Sequence, residues 1–212
     1  MLEQDGQLFA WHHPLGQRPD WRPPPLTEAR DPGWTRLGVV RRWMLRADVR
    51  VITQQNVDTP RFSWNHHQEN GDIQTNGPHF HQTSAQPFHL LGWRRAVVRQ
   101  LNSSLTIQAH GLGITISRAT VQAGIALRST AVFYTVPRAP GRVELIALLS
   151  TRRLPMPGAS RLFWHRAAAE IIETIEHNIP IWEEQGAPAR RRSAPHFQQW
   201  VKQFYTQGDM LP

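Results

Sequence analysis

Arg61 and His66 stand close together in a segment that opens with a helix signal. Asp58-Thr59-Pro60 offers a capping side chain and then a proline in the first turn, where its missing N–H costs nothing. A short helix bearing Phe62, Asn65 and His66 would follow. On it, Arg61 could clamp an anionic group such as a carboxylate or an enolate, and His66 could serve as general acid or base. The same residues also satisfy one another without chemistry: Asp58 sits one turn before Arg61 and can pair with it, and His66 can be a satisfied core residue. Further histidines, His67, His79, His81 and His89, follow. A His-Phe-His run on a strand points both imidazoles to one face, so a metal ion is one use for them and a plain polar loop another.

The flanking sequence must position these groups. Residues 6–11 read as one short strand, and residues 12–36, rich in Pro, Gly and Trp, as an extended connector around Pro23-Pro24-Pro25. Residues 37–51 alternate apolar and basic positions through Val39, Trp43, Leu45 and Val49, the signature of a half-buried strand. Residues 71–89 read as a Gly- and His-rich loop. Strands are expected at 93–99, 104–109, 112–118, 121–127, 130–136 and 142–152, punctuated by Gly111, Gly113, Gly124 and Pro140-Gly141, as in an antiparallel meander. Residues 160–178 form the clearest helix. Ser160 can cap it, and Phe163, Ala167, Ile171 and Ile175 recur on one face with Trp164, Ala168 and Ile172 beside them. The class is α+β. A sheet curled around one long helix encloses an apolar hollow suited to a small molecule, with Trp64 and Trp164 as candidate lining among the nine tryptophans.

Composition bounds the rest. The 212 residues are about one domain's worth. Hydrophobic content of 40% and charged content of 19% mark a globular chain. No apolar run approaches the ~18 residues of a membrane span, and the N-terminus has neither the basic nor the apolar region of a signal peptide. Cysteine is absent, which excludes disulfides, thiolate metal sites and any cysteine-held iron–sulfur cluster within the chain, and fits a cytoplasmic protein. The net charge of +8 comes almost wholly from arginine, with Lys202 the only lysine. The arginines are scattered, Arg190-Arg191-Arg192 excepted, which favours a solvated basic surface over nucleic-acid binding.

Three segments in register resemble the alpha subunits of Rieske-type non-haem iron oxygenases, in particular the branch acting on steroids. Gly6-Gln7-Leu8-Phe9-Ala10-Trp11-His12-His13-Pro14, with Pro19-Asp20-Trp21, is similar to the end of the Rieske domain and its exit linker. Gln55-Asn56-Val57-Asp58-Thr59-Pro60-Arg61-Phe62-Ser63-Trp64-Asn65-His66 is similar to the iron-binding helix. Asn178-Ile179-Pro180-Ile181-Trp182-Glu183, followed by His196-Phe197-Gln198-Gln199-Trp200 and Gln203-Phe204-Tyr205, is similar to the C-terminal part. The resemblance implies a helix-grip (START-like) catalytic domain over 37–212, preceded over 1–36 by a remnant of the Rieske module and its linker. It also implies a mononuclear Fe(II) held by two histidines and a carboxylate, and electrons from a [2Fe-2S] cluster.

The resemblance also exposes departures. Arg61 stands where the first histidine ligand belongs, and a guanidinium has no lone pair for a metal. His66 matches the second histidine and is the one residue left as a metal ligand. Asn178 replaces the carboxylate, although helical phase sets it with Ile171 and Ile175. Asp58 matches the acid that links the two redox centres across subunits. The expectation is therefore a chain without the cluster, with a degenerate iron site. It would hold a hydrophobic small molecule against Asn178, Phe62, Trp64, Trp164, Ile171 and Ile175 and catalyse a redox-neutral step, a cyclisation or isomerisation in small-molecule biosynthesis, through Arg61, His66 and Asp58. No cofactor is expected, Fe(II) being the weaker alternative. Two other readings stay open: a non-catalytic partner of an intact Rieske oxygenase, in a homo- or hetero-oligomer, and the catalytic half of a split oxygenase whose His66 recruits His67 or His79.

Overall fold

A computed structural model describes residues 1–10, 22–57, 72–76, 79–85, 103–123, 125–184, 197 and 199–201. After a small hairpin, β1 (Leu2–Gln4) and β2 (Gln7–Phe9), come α1 (Thr27–Arg30), β3 (Gly38–Leu45) and α2 (Val49–Val57). Then follow β4 (Asp72–Asn76), β5 (His79–Ala85), β6 (Ser103–His110), β7 (Ile114–Ala123), β8 (Ile125–Ala139), β9 (Arg142–Thr151) and α3 (Ala159–Glu184). Seven strands form one antiparallel sheet in the order β3-β9-β8-β7-β6-β5-β4. β4 to β9 are a meander, and β3 closes its far edge. The α+β class and the antiparallel sheet against a long C-terminal helix are as expected.

Side chains alternate across a sheet, so the register sorts residues into two faces. Phe80, Ala109, Thr115, Phe133, Ala147 and Arg41 lie side by side across the strands on one face. The adjoining row of His79, His110, Ile114, Tyr134, Ile146 and Arg42 faces the other way. The first face carries the helices. Trp43, Leu45, Ile52, Val143, Leu145, Ile175 and Trp182 form its main cluster, and Ala131, Leu149 and Ala168 continue it. Phe197 and Trp200, from the C-terminal segment, cap Phe80, Ile107 and Ala109 at the opposite end. The N-terminal segment covers the second face: Leu26 packs with Ile114, Ile116, Val132 and Leu148, and Phe9 stacks edge-on against Tyr134. With both faces covered, β9 is buried along almost its whole length, as its near-continuous apolar run Val143–Leu149 requires.

Several elements differ from the sequence reading, each for a local reason. The strand expected at 6–11 is present as the shorter β2, and it is the second arm of a hairpin with β1, because Asp5 and Gly6 both take positive φ (53° and 75°) and turn the chain back. The strand expected to run to residue 51 stops at Leu45. Asp48 then starts a helix: its carboxylate accepts the Arg50 N–H at 2.7 Å and its carbonyl accepts those of Val51 and Ile52. The segment 71–89 is not all loop, since β4 and β5 pair in register across a short connection. The strands expected at 112–118, 121–127 and 130–136 are two longer ones, β7 and β8, paired from Ile114↔Tyr134 to Ala123↔Ile125. Ser160 is not the helix cap: α3 begins one residue earlier, after Gly158 at φ 76°, and the Ser160 hydroxyl accepts the Leu154 N–H at 2.8 Å. α3 also runs on through Pro180 to Glu184. The segment expected at 93–99 lies outside the described residues.

Candidate functional site

Along α3 the residues turned to the sheet are Trp164, Ala168, Ile171, Ile175 and Trp182, and the four–three spacing that links them passes through Asn178. Asn178 is thus the polar member of an apolar stripe. It is half-buried, and its Nδ2 donates to the Thr174 carbonyl one turn back at 2.7 Å. A carboxylate at this position has no N–H to give, so this bond belongs to the amide. Ile171 and Ile175 fill the helix–sheet interface beside it. Trp164 packs on Ala131 and Leu149, and its indole N–H donates to the Leu149 carbonyl at 3.1 Å. The Trp164 ring lies close over β3, within van der Waals reach of a Cβ placed at position 38 (3.4 Å).

Asp58, Arg61, Phe62, Trp64 and His66 lie outside the described residues, as do Arg190, Arg191 and Arg192. α2 leads into the first group and ends at the residue before Asp58. It is anchored by Ile52, fully buried in the main cluster, and by Thr53, whose hydroxyl turns to the carbonyls of Leu112 (2.5 Å) and Val49 (2.9 Å).

Two donors escaped the sequence reading. The indole N–H groups of Trp43 and Trp182 are buried in the cluster that holds Ile175, and neither has a hydrogen-bond partner among the described residues. Buried orphan donors are rare and ask for an acceptor. Only the abundance of tryptophan hinted at them. A cavity of about 410 Å³ opens beside the same cluster, bounded by Ala47, Val49, Val143 and the β8–β9 turn.

The opposite face of the sheet carries a polar network. Glu28 of α1 is buried and accepts Arg118 Nε at 2.6 Å and the Thr130 hydroxyl at 3.0 Å, while Arg118 Nη1 donates to Gln108 at 2.6 Å. Burial acts to raise the Glu28 pKa, but the hydrogen bonds and charge of Arg118, with help from Thr130, outweigh it and hold the carboxyl below its ordinary value. Next to this network the Nδ1 atoms of His79 and His110 are 2.7 Å apart. Burial, then the charges of His79, Arg118 and His81, push His110 down to about 4. Near the β8–β9 turn Glu144 accepts from Arg138 and Arg42, and chiefly the Arg138 hydrogen bond lowers its pKa. Among the described residues no three His, Asp or Glu side chains converge as a metal-holding group, and no helix is long and apolar enough to cross a membrane.

A seven-stranded antiparallel sheet gripping one long helix is the architecture of the catalytic domain of Rieske-type non-haem iron oxygenases, and the solved structures this chain resembles are of that class. Dicamba monooxygenase bound to dicamba matches with a TM-score of 0.58 at 10% identity, over 92% of this chain and 64% of that one. The NdmA QL mutant of Pseudomonas putida CBB5 with theobromine matches with a TM-score of 0.61 at 10% identity, over 85% and 51%. NdmB of the same organism matches at 0.57 and 10%, over 85% and 51%. The chain spans 59% of the length of apo dicamba monooxygenase and about half that of the Ndm proteins. No curated protein matches it. Within the class, the chain belongs to the family of the 3-Ketosteroid 9alpha-hydroxylase C-terminal domain, whose model covers residues 10–205.

Proposed function

We propose that this catalytic domain binds a hydrophobic, polycyclic, ketone-bearing small molecule and moves a proton on it without net oxidation. The observation that carries the reading is Asn178. On our reading of the sequence resemblance a carboxylate ligand would belong there, whereas the amide gives its N–H to the Thr174 carbonyl and offers a metal only a neutral oxygen. Together with Arg61 in place of a histidine, this donor set does not fit Fe(II) held by two histidines and a carboxylate. The absence of cysteine means that no cysteine-held cluster in this chain can supply electrons.

The remaining groups suit acid–base chemistry on an enolisable ketone. His66 takes a proton from a carbon next to the carbonyl, Arg61 holds the enolate oxygen, and His66 returns the proton at another carbon; Asp58 orients Arg61. Atoms and electrons balance within the substrate, as in an isomerisation or as the first step of a cyclisation. The family's ketosteroid name and the apolar stripe Trp164–Ile171–Ile175 support the substrate class; Phe62 and Trp64 would complete the lining. Residues 1–36 would serve as the Rieske-module end and linker.

The test is anaerobic incubation with unsaturated polycyclic ketones in the presence of a chelator, with products read by NMR in D₂O. Isomers of unchanged oxidation level that carry deuterium at the positions of proton transfer are expected, and their formation is lost in His66→Ala and Arg61→Ala. Turnover that requires Fe(II), O₂ and a reductase instead would establish a split oxygenase. Stable assembly with an intact Rieske oxygenase, without turnover by this chain, would establish a partner subunit.

A further inference from the structure

The face of α3 turned away from the sheet repeats at alternating spacings of four and three residues: Leu162, Arg166, Ala169, Glu173, Glu176 and Pro180, all exposed. Such a spacing makes a straight seam along which another helix can lie. The charges on α3 are sorted along its axis. Arg161 and Arg166 come first, and from Glu170 onward every charged residue is a glutamate: Glu170, Glu173, Glu176, Glu183 and Glu184. The first turn carries no acid and the last turn no base. This sorting opposes the helix macrodipole at both ends, so it does not stabilise the helix by itself. Leu162, at the start of the seam, is 66% exposed.

We propose that this face docks a second copy of the chain, with the two α3 helices antiparallel about a two-fold axis level with residue 171. Such an axis sets residues equidistant from 171 opposite one another, and the seam is self-complementary under it. Leu162 of one copy meets Pro180 of the other, Arg166 meets Glu176, and Ala169 meets Glu173. The Arg166–Glu176 contact forms twice, and Arg161 comes within a turn of Glu184. A parallel pair would instead set arginine on arginine and glutamate on glutamate, so the charges select the antiparallel arrangement. Glu176 already accepts Arg41 at 2.7 Å, yet its side chain stays 44% exposed and keeps acceptor capacity for a second guanidinium.

The size of the seam sets the strength of the contact. From Leu162 to Pro180 it runs ~27 Å at the usual helical rise. One helix face of that length buries less than the ~800 Å² per partner of a standard interface. Its apolar part is Leu162, Ala169 and Pro180 alone. The association is therefore weak, held mainly by charge and loosened by salt. The opposite face of α3, with Trp164, Ile171 and Ile175, packs on the sheet, so docking leaves the candidate site as it is.

Sedimentation of the full chain at about 100 μM, at low salt and at ~1 M salt where the Debye length falls to ~3 Å, tests this. The expected result is a twofold step in mass at low salt that is lost at high salt. Arg166→Glu and Glu176→Arg should each lose the step when alone. Mixed one to one they should regain it, because the mixed pair restores both opposite-charge contacts. Circular dichroism checks that each variant folds. Leu162→Glu, at an exposed position, should also lose the step, and it guards against a folding defect in the Glu176 variant, which gives up its Arg41 contact. A parent chain without the salt-sensitive step, or variants that associate as the parent does, would overturn the docking surface. Single variants that lose the step and stay apart when mixed would overturn the antiparallel register.

Discussion

Glu28 and Arg118 meet across the outer face of the sheet, Oε1 to Nε at 2.6 Å, although 90 residues separate them in sequence. The pair ties a four-residue helix, too short to persist alone, to the middle of β7. Glu28→Ala would leave the Arg118 guanidinium partly buried and unpaired, with Thr130 and Gln108 beside it. We expect a loss of roughly 2–4 kcal/mol in urea unfolding, with faster hydrogen exchange at residues 22–30. An unchanged midpoint and unchanged exchange would mean that the N-terminal segment is held by Leu26 and Phe9 alone.

The histidine pair makes stability depend on pH. Folded, His110 titrates near 4, well below the ordinary histidine value of about 6.5. Between those values the unfolded chain binds the extra proton, so stability rises with pH. It is complete above about 6.5 and lost as pH falls towards 4, by roughly 2–4 kcal/mol. Glu28, with its lowered pKa, adds a loss of the same sign below its ordinary value of 4.5. His110→Phe should flatten the slope between pH 4 and 6.5; a slope as steep as the parent's would contradict the assignment.

Trp200 and Phe197 belong to the family-like C-terminal stretch, and both are buried against Phe80. Trp200→Ala should cost about 3–5 kcal/mol, as for large aromatic truncations in a core. Circular dichroism during thermal unfolding reads this directly. A near-neutral variant would show that the segment does not seal the sheet in solution.

The orphan indoles of Trp43 and Trp182 supply a ligand readout. If the bound molecule places an oxygen near either N–H, its addition shifts that indole's NMR proton resonance downfield, and Trp182→Phe weakens binding by roughly 1 kcal/mol, the net value of one hydrogen bond. Resonances that ignore every ketone which the protein turns over would place the ligand elsewhere.

Much of the fold was legible because its signals are local and periodic. The stripe from Trp164 to Ile175 announced α3, and the alternation around Trp43 and Leu45 announced β3. What failed did so where one residue reset the chain. Asp48 ended the alternation and capped α2, the Asp5-Gly6 turn paired the expected strand with an extra one before it, and polar β4 and β5 lack the apolar rhythm that marks a strand. The partnership of Glu28 with Arg118, and of His79 with His110, could not be read at all, because strand register is set by the whole sheet. For the site, helical phase set Asn178 among its apolar neighbours, but its bond to Thr174 depends on a rotamer that spacing does not specify.

Iron content decides whether the substitutions at Arg61 and Asn178 have abolished the metal site. The parent chain, Arg61→His/Asn178→Asp and His66→Ala should each be loaded anaerobically with Fe(II), desalted and measured for iron per chain. Substoichiometric iron is expected in the parent and in His66→Ala, and about one iron per chain once the histidine and carboxylate are restored, since two histidines and one acid suffice for this metal. A parent chain that already holds one Fe(II), lost in His66→Ala, would contradict this expectation.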